Sequence, residues 1–245
     1  MAVTPAGAAL TRQHRQTQAA IRSLTLQRLL PLWRLLDPAR LDATSPGYLE
    51  AAVALVRGGH ALSARAAASY YLAFRVAEGL TAGAPPLPPP PLDVDRVRTS
   101  LIVTGPVEVK RATGMRVPLG RAVDTALTMT SGAVARHVAA GGWDTVQGAV
   151  RSDRQARGWA RVASGNACAF CLMLASRGPV YRGEDTASFE PHDHCSCGIE
   201  PVLGDGYQWP ETSVAAREQW DALKDENGGD GADLNSFRRA LAAAE

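Results

Sequence analysis

Residues 167–202 read ACAFCLMLASRGPVYRGEDTASFEPHDHCSCGIEPV. All four cysteines of the chain, Cys168, Cys171, Cys195 and Cys197, fall in this stretch, and His192 and His194 lie between the two pairs. The pattern is C-x2-C, a gap of twenty residues, then H-x-H-C-x-C. A Cys-x2-Cys turn lets two thiolates face one ion, and a distant loop can complete a tetrahedron of nitrogen and sulfur ligands. Cys168 and Cys171 form one half. The other half comes from two of His192, His194, Cys195 and Cys197. His194 and Cys195 are adjacent and their side chains diverge, which leaves His192 with Cys195 or Cys197, or Cys195 with Cys197. Such a cluster closes its own shell, so a structural zinc is expected rather than a catalytic one. A small segment with little apolar mass gains from that cross-link, because binding energy becomes folding energy. Two other readings stay open: reduced thiols packed in a small core, and a disulfide formed after release into an oxidising environment.

Working outward, 245 residues suffice for one large domain or two small ones. A hydrophobic content of 46% and a charged content of 20% suit a soluble globular protein. A net charge of +2 does not by itself indicate nucleic-acid binding. The charge is uneven: Arg12, Arg15, Arg22, Arg28 and Arg34 precede the first acid, Asp37, while the tail after Gly204 is mostly acidic. Solvated helix faces account for that asymmetry. No apolar run is long enough to span a bilayer. The opening MAVTPAGAALTRQHRQ lacks a basic region followed by an apolar core, so no secretory signal is expected. A cytoplasmic setting follows, in which paired thiols favour a metal over a structural disulfide.

The expected fold is mainly α. Ile21, Leu24, Leu29, Leu32 and Leu36 predict a helix over about 11–36, kinked at Pro31. DPARLDATSPG predicts a turn, and a second helix follows over about 48–79 with a break at Gly58-Gly59. The division expected is a helical pair over 1–81, a proline-rich linker over 82–93, a domain over 94–210 carrying the Cys/His cluster, and an acidic helical tail over 211–245. The run TAGAPPLPPPPLD favours an extended spacer, although a local loop within one domain would read the same way. An aspartate before an apolar-periodic run predicts an N-cap near residue 93, and Gly105-Pro106 interrupts the helix that follows. Helices are expected over about 119–140, ending at Gly141-Gly142, and over about 143–158. PVYRG and CGIEPVL read as short strands, making the cysteine-bearing end a small α+β segment. Helices over about 211–223 and 234–244 complete the tail, and no internal repeat occurs.

Catalytic readings have little to stand on. No G-x-S-x-G, H-E-x-x-H or G-K-[ST] motif occurs, and pairing Cys168 or Ser164 with His137 or His192 is one choice among many. Trp159, Arg161, Arg177 and Tyr181 could form a recognition face, but Trp159, Phe170, Leu172, Leu174 and Tyr181 are expected to pack the core instead.

The stretch GWARVASGNACAFCLMLASRGPVY, followed by HDHCSC, resembles the phage Mu F-like minor head proteins in their actinobacteriophage form. VRTSLIVTGPVEVKRATG and AVARHVAAGGWDTVQGAVRSDRQARGW carry the likeness upstream, so that it covers about residues 95–202. The hallmark of one or two cysteines and then His-x-x-Cys-x-Cys falls on Cys168, Cys171, His192, Cys195 and Cys197. HDHC departs from relatives with proline and asparagine after the histidine, and adds His194 as a second candidate nitrogen ligand. The resemblance implies a minor capsid protein of head morphogenesis, present in procapsid and virion and in the host cytoplasm during assembly. Its implied partners are the portal, scaffold and major capsid proteins and packaged DNA, with no membrane. Relatives are also called capsid maturation proteases, which makes a peptidase the alternative, and a zinc-ribbon DNA-binding module is a further one.

Overall fold

The computed structural model describes residues 2–81, 83, 86, 88–89, 91–163, 167–179, 193, 197–204, 206, 208–209, 211–226 and 233–243. These residues are mainly helical. In order they form α1 (Pro5–Trp33), α2 (Leu41–Ala77), α3 (Val94–Ile102), a π-helical turn (Val103–Val107), α4 (Glu108–Gly114), α5 (Leu119–Ser152), β1 (Gly158–Val162), α6 (Ala169–Ala175), β2 (Gly198–Val202), α7 (Glu211–Glu226) and α8 (Leu234–Ala243). No described helix is long and apolar enough to cross a membrane.

The helix α1 starts six residues before its expected position. Thr4 is its N-cap and accepts from the Gly7 amide at 3.0 Å, and Pro5 at the first position already has the φ a helix needs. Pro31 lies inside the helix two residues before its end. The helix α2 also starts early, at Leu41, within the expected turn. Leu41 is buried there, and Thr44 and Ser45 hydroxyls donate back to the Arg40 and Leu41 carbonyls at 3.0 and 2.6 Å. Pro46 removes one ladder bond in the second turn and the helix continues. Thr4 meets Ala77 and Glu78, Gln18 meets Ser63, and Thr25 approaches Gly59, so α1 and α2 run antiparallel.

Two expected breaks are absent, and close packing explains both. The helix α2 runs unbroken through Gly58 and Gly59, and α5 runs unbroken through Gly141 and Gly142. A Cβ on Gly141 would lie 2.3 Å from the His60 carbonyl oxygen, one on Gly142 2.9 Å from Gln18 and Ser63, and one on Gly59 2.8 Å from Val138. These glycines mark where three helices cross at minimal separation, not where one stops. At the start of α3, Asp93 caps as expected and accepts from the Arg96 amide at 2.9 Å. Gly105-Pro106 does not end that helix; it widens it into the π turn, packed on Trp33 and Thr130.

Residues on both sides of 82–93 share cores. Tyr48, Val53 and Val56 of α2 cluster with Leu29 and Trp33 of α1, Val97 and Leu101 of α3, and Val134 and Val138 of α5. A second cluster joins Tyr70, Tyr71 and Phe74 of α2 to Trp143 and Val146 of α5, and then to Trp159, Cys171, Cys197 and Ile199. A third, smaller one places Ala169 against Ala216 and Phe237. The end of α2 is tied to the chain after α5 by an ion pair between a buried arginine and a half-buried aspartate. Arg75 donates to Asp153, which also accepts from the Tyr71 hydroxyl at 2.8 Å, and Arg75 reaches Gln155 at 2.7 Å and the Thr81 carbonyl at 3.1 Å.

Of the two expected strands, CGIEPVL contains β2, while PVYRG lies almost wholly outside the described residues. The partner of β2 is β1, antiparallel, with Gly158 opposite Val202, Ala160 opposite Glu200 and Val162 opposite Gly198. Pro201 lacks an amide donor, which a two-stranded ribbon tolerates because each strand has a free edge.

Candidate functional site

The cysteine-bearing end is assembled around α6. Cys168 occupies its N-cap position and is exposed, while Cys171 one turn later is only 2% exposed. Cys168 has extended backbone, so it stands just outside the helix that carries Cys171. After Ala175 the helix closes on Gly178, whose φ of +67° is left-handed and whose amide donates to the Ala175 carbonyl at 3.2 Å. A Cβ there would sit 2.2 Å from the Trp209 ring, so this cap admits only glycine. The first half of the candidate ligand set, Cys168 and Cys171, is thus placed by a short, tightly capped helix.

Cys197 immediately precedes β2 and is 3% exposed. It belongs to the same buried cluster as Cys171, together with Trp143, Trp159 and Ile199. The structure therefore brings one thiol from each half of the C-x2-C…H-x-H-C-x-C pattern into one core. His192, His194 and Cys195 lie outside the described residues. Among the described residues no group of three or more His, Cys, Asp or Glu is gathered closely enough to hold a metal ion. By residue type the donor set nonetheless suits zinc: Cys168 and Cys171 at the start of α6, Cys197 in the same buried cluster as Cys171, and two histidines close by in sequence.

Asp193, between the two histidines in sequence, is described, and it is held by Arg136 of α5 at 2.7 Å. The same guanidinium donates to the Ser100 hydroxyl of α3 at 3.2 Å. At the other end, the aliphatic stem of Arg15 lies over Gly198, with Cγ 3.0 Å from where a Cβ would sit.

Of the four residues that could have formed a recognition face, Trp159 packs in the core as expected, Arg177 is exposed, and Tyr181 lies outside the described residues. Trp159 and Arg161 are both buried, so neither is offered to a partner in this arrangement. His137 is buried too, and its imidazole is pushed down to about 4, first by burial and then by the Arg136 and Arg96 charges. It is neutral at physiological pH and walled in, a poor position for a general base.

Sequence reasoning missed a polar line inside the core. The hydroxyls of Thr11 and Tyr70 are 2.8 Å apart, and His14 stacks on Tyr70 with ring centroids 4.2 Å apart. Glu200 on β2 is 0% exposed, and burial raises its carboxyl pKa while the Thr11 hydroxyl pulls the other way. Burial likewise raises the Tyr70 hydroxyl and takes His14 down to about 4. The faint signal for this line was that α1 has Thr11, His14 and Thr25 where its apolar stripe should be.

Fold and site together describe a mainly helical protein with a cysteine-bearing ribbon and short helix set into one side of its helical core. Its family follows from comparison with known proteins: the chain belongs to the VG15 protein family, whose pattern matches residues 7–223. It is also similar to the Gene 15 protein of Mycobacterium phage D29, at 45% identity over 126 residues. That match covers 38% of this chain and 46% of the relative, so the chain spans about half the length of that protein. No solved structure matches. These likenesses place the chain among bacteriophage proteins.

Proposed function

We propose that the protein is a minor capsid protein of phage head morphogenesis, of the Mu F-like kind, which joins the portal, scaffold and major capsid proteins in the procapsid. The observation that carries the reading is the placement of Cys171 and Cys197 in one buried cluster, in a chain that belongs to a phage family. Bound zinc would cross-link the α6 turn to the start of β2, with Cys168, Cys171, His192, Cys195 and Cys197 as the candidate ligands. The long helices α1, α2 and α5 then supply a rigid body for docking, and the stapled end keeps its fold during assembly.

Co-expression with portal, scaffold and major capsid proteins tests this directly. The protein should copurify with procapsids and be lost when the portal is omitted, and the purified chain should carry about one zinc. Procapsids that form normally and never contain it would sink the assembly role. Site-specific cutting of scaffold or capsid protein, abolished by a single Ser, Cys or Asp substitution, would turn the reading to a maturation protease. Salt-dependent binding to bare DNA without procapsid association would favour the DNA-binding module.

A further inference from the structure

We propose that Glu200 is a proton-operated latch: as a neutral acid it lets β2 lie against α1 and α2, and its ionisation loosens the ribbon from the helical body. Glu200 is fully buried in the middle of β2, and neither carboxyl oxygen is satisfied by a well-aligned hydrogen bond. A carboxylate in such a place costs far more than a neutral acid. The surroundings of Glu200 come from three elements. Across the ribbon it stands opposite Ala160, so its register partner on β1 carries no charge. From α1 comes the Thr11 hydroxyl, itself 2.8 Å from the Tyr70 hydroxyl of α2. The Glu78 carboxylate, the Ala2 amide and the amino-terminal charge complete the set. Burial is the largest influence and raises the carboxyl pKa, with Glu78 adding to it, while Thr11, the amino-terminal charge and Ala2 pull it down. The proton has a route to solvent: Tyr70 and His14, stacked at 4.2 Å, both line a cavity of about 290 Å³ between α1 and α2. The latch sits at a joint. Ile199 and Cys197, beside Glu200 in sequence, belong to the cluster that packs the ribbon on Tyr70, Tyr71 and Phe74 of α2. The folded carboxyl keeps its proton to a higher pH than the unfolded one, whose ordinary value is 4.5. Its contribution to stability is therefore complete below about 4.5 and declines as pH rises through the folded value.

The test compares the full-length wild-type chain with Glu200→Gln, which keeps the side-chain shape and is neutral at every pH. The two melting temperatures should agree within about 2 °C near pH 4.5, and the variant should melt at least about 3 °C higher at about pH 8. The His14 and His137 titrations are common to both proteins and cancel in the difference. Hydrogen–deuterium exchange of peptides spanning 198–204, taken as the ratio of wild type to variant at each pH, should rise about threefold or more between the same limits. A melting-temperature difference that does not change with pH overturns the proposal. An exchange ratio that stays constant with pH overturns the loosening of β2, and with it the latch. Should Glu200→Gln fail to fold, the wild-type chain decides alone through the carboxyl-carbon resonances of its glutamates. The Glu200 resonance, assigned through its backbone, should titrate above those of the other glutamates, and titration together with them overturns the latch.

Discussion

The helical body and the cysteine-bearing end are held together by opposite means. In the body, α1, α2 and α5 run for 29, 37 and 34 residues and cross where glycines let backbones touch. At the other end, seven-residue α6 and two five-residue strands are the described elements, and the third core has Ala169, Ala216 and Phe237 at its centre with half-buried side chains such as Leu172 and Trp220 around them. Long helices satisfy their own backbones and spread stability over many contacts. Short elements depend on single residues and on whatever staples them. The contrast says that damage to the body should be graded by how closely backbones approach, while damage at the far end should be graded by chemistry.

The strongest way to break the contrast is at the joint between the two parts. Arg75→Ala leaves the half-buried Asp153 with the Tyr71 hydroxyl alone, and should cost about 3 kcal/mol in chemical denaturation. An Arg75→Ala protein as stable as wild type would show that the joint is not load-sharing. Within the body, Gly141→Ala drives a methyl to 2.3 Å from a backbone oxygen and should cost about 3 kcal/mol. Acid should unlock the same body. Burial holds His14 and His137 at about 4 in the folded chain against 6.5 unfolded. Between those values the unfolded chain binds more protons, so stability falls as pH drops from about 6.5 to about 4 and levels below. The loss is on the order of 2–3 kcal/mol per histidine. Melting temperature followed against pH checks this, and His14→Gln should make the slope shallower.

At the cysteine end, Cys168 and Cys171 offer a sharper comparison because one is exposed and the other buried. If packing alone matters, Cys171→Ser should cost about 1–3 kcal/mol and Cys168→Ser less than about 0.5. If both hold zinc, the two variants should lose the metal alike and destabilise alike. Gly148→Ala is a small effect of the opposite sign. Its Cβ meets nothing within 4 Å on a helical position, so it should stabilise by about 0.5–1 kcal/mol.

The sequence was readable where pattern and burial coincide. The mainly helical class, the Asp93 cap, the β2 segment and the two tail helices all follow local rules. It misled at Gly58-Gly59 and Gly141-Gly142, because a glycine pair looks the same whether it stops a helix or admits a neighbour. The periodic leucines of α1 were also a partial guide: Leu29 and Leu36 are buried, but Leu24 is 43% exposed. The strand β1 went unseen because GWARV carries an arginine that ends up buried. At the site, the motif located Cys171 and Cys197, but nothing local could reveal that Arg136, over fifty residues upstream, reaches Asp193.

The π turn at Val103–Val107 repays a last look. Among the buried residues across it, Val97, Leu101, Gly105 and Val109 form a row spaced by four, beside Thr104, Pro106, Glu108 and Ala112. In an α-helix of 3.6 residues per turn such a series drifts by about 40° at each step and would spiral off the core. One wider turn resets the phase, so both halves of the rod keep the same side inward. What looks like a flaw between Ile102 and Glu108 acts as a vernier adjustment. Removing a single residue there would change the spacing to four, three and four, which an ordinary α-helix carries on one face, so the deletion should leave a regular helix with both halves still facing the core.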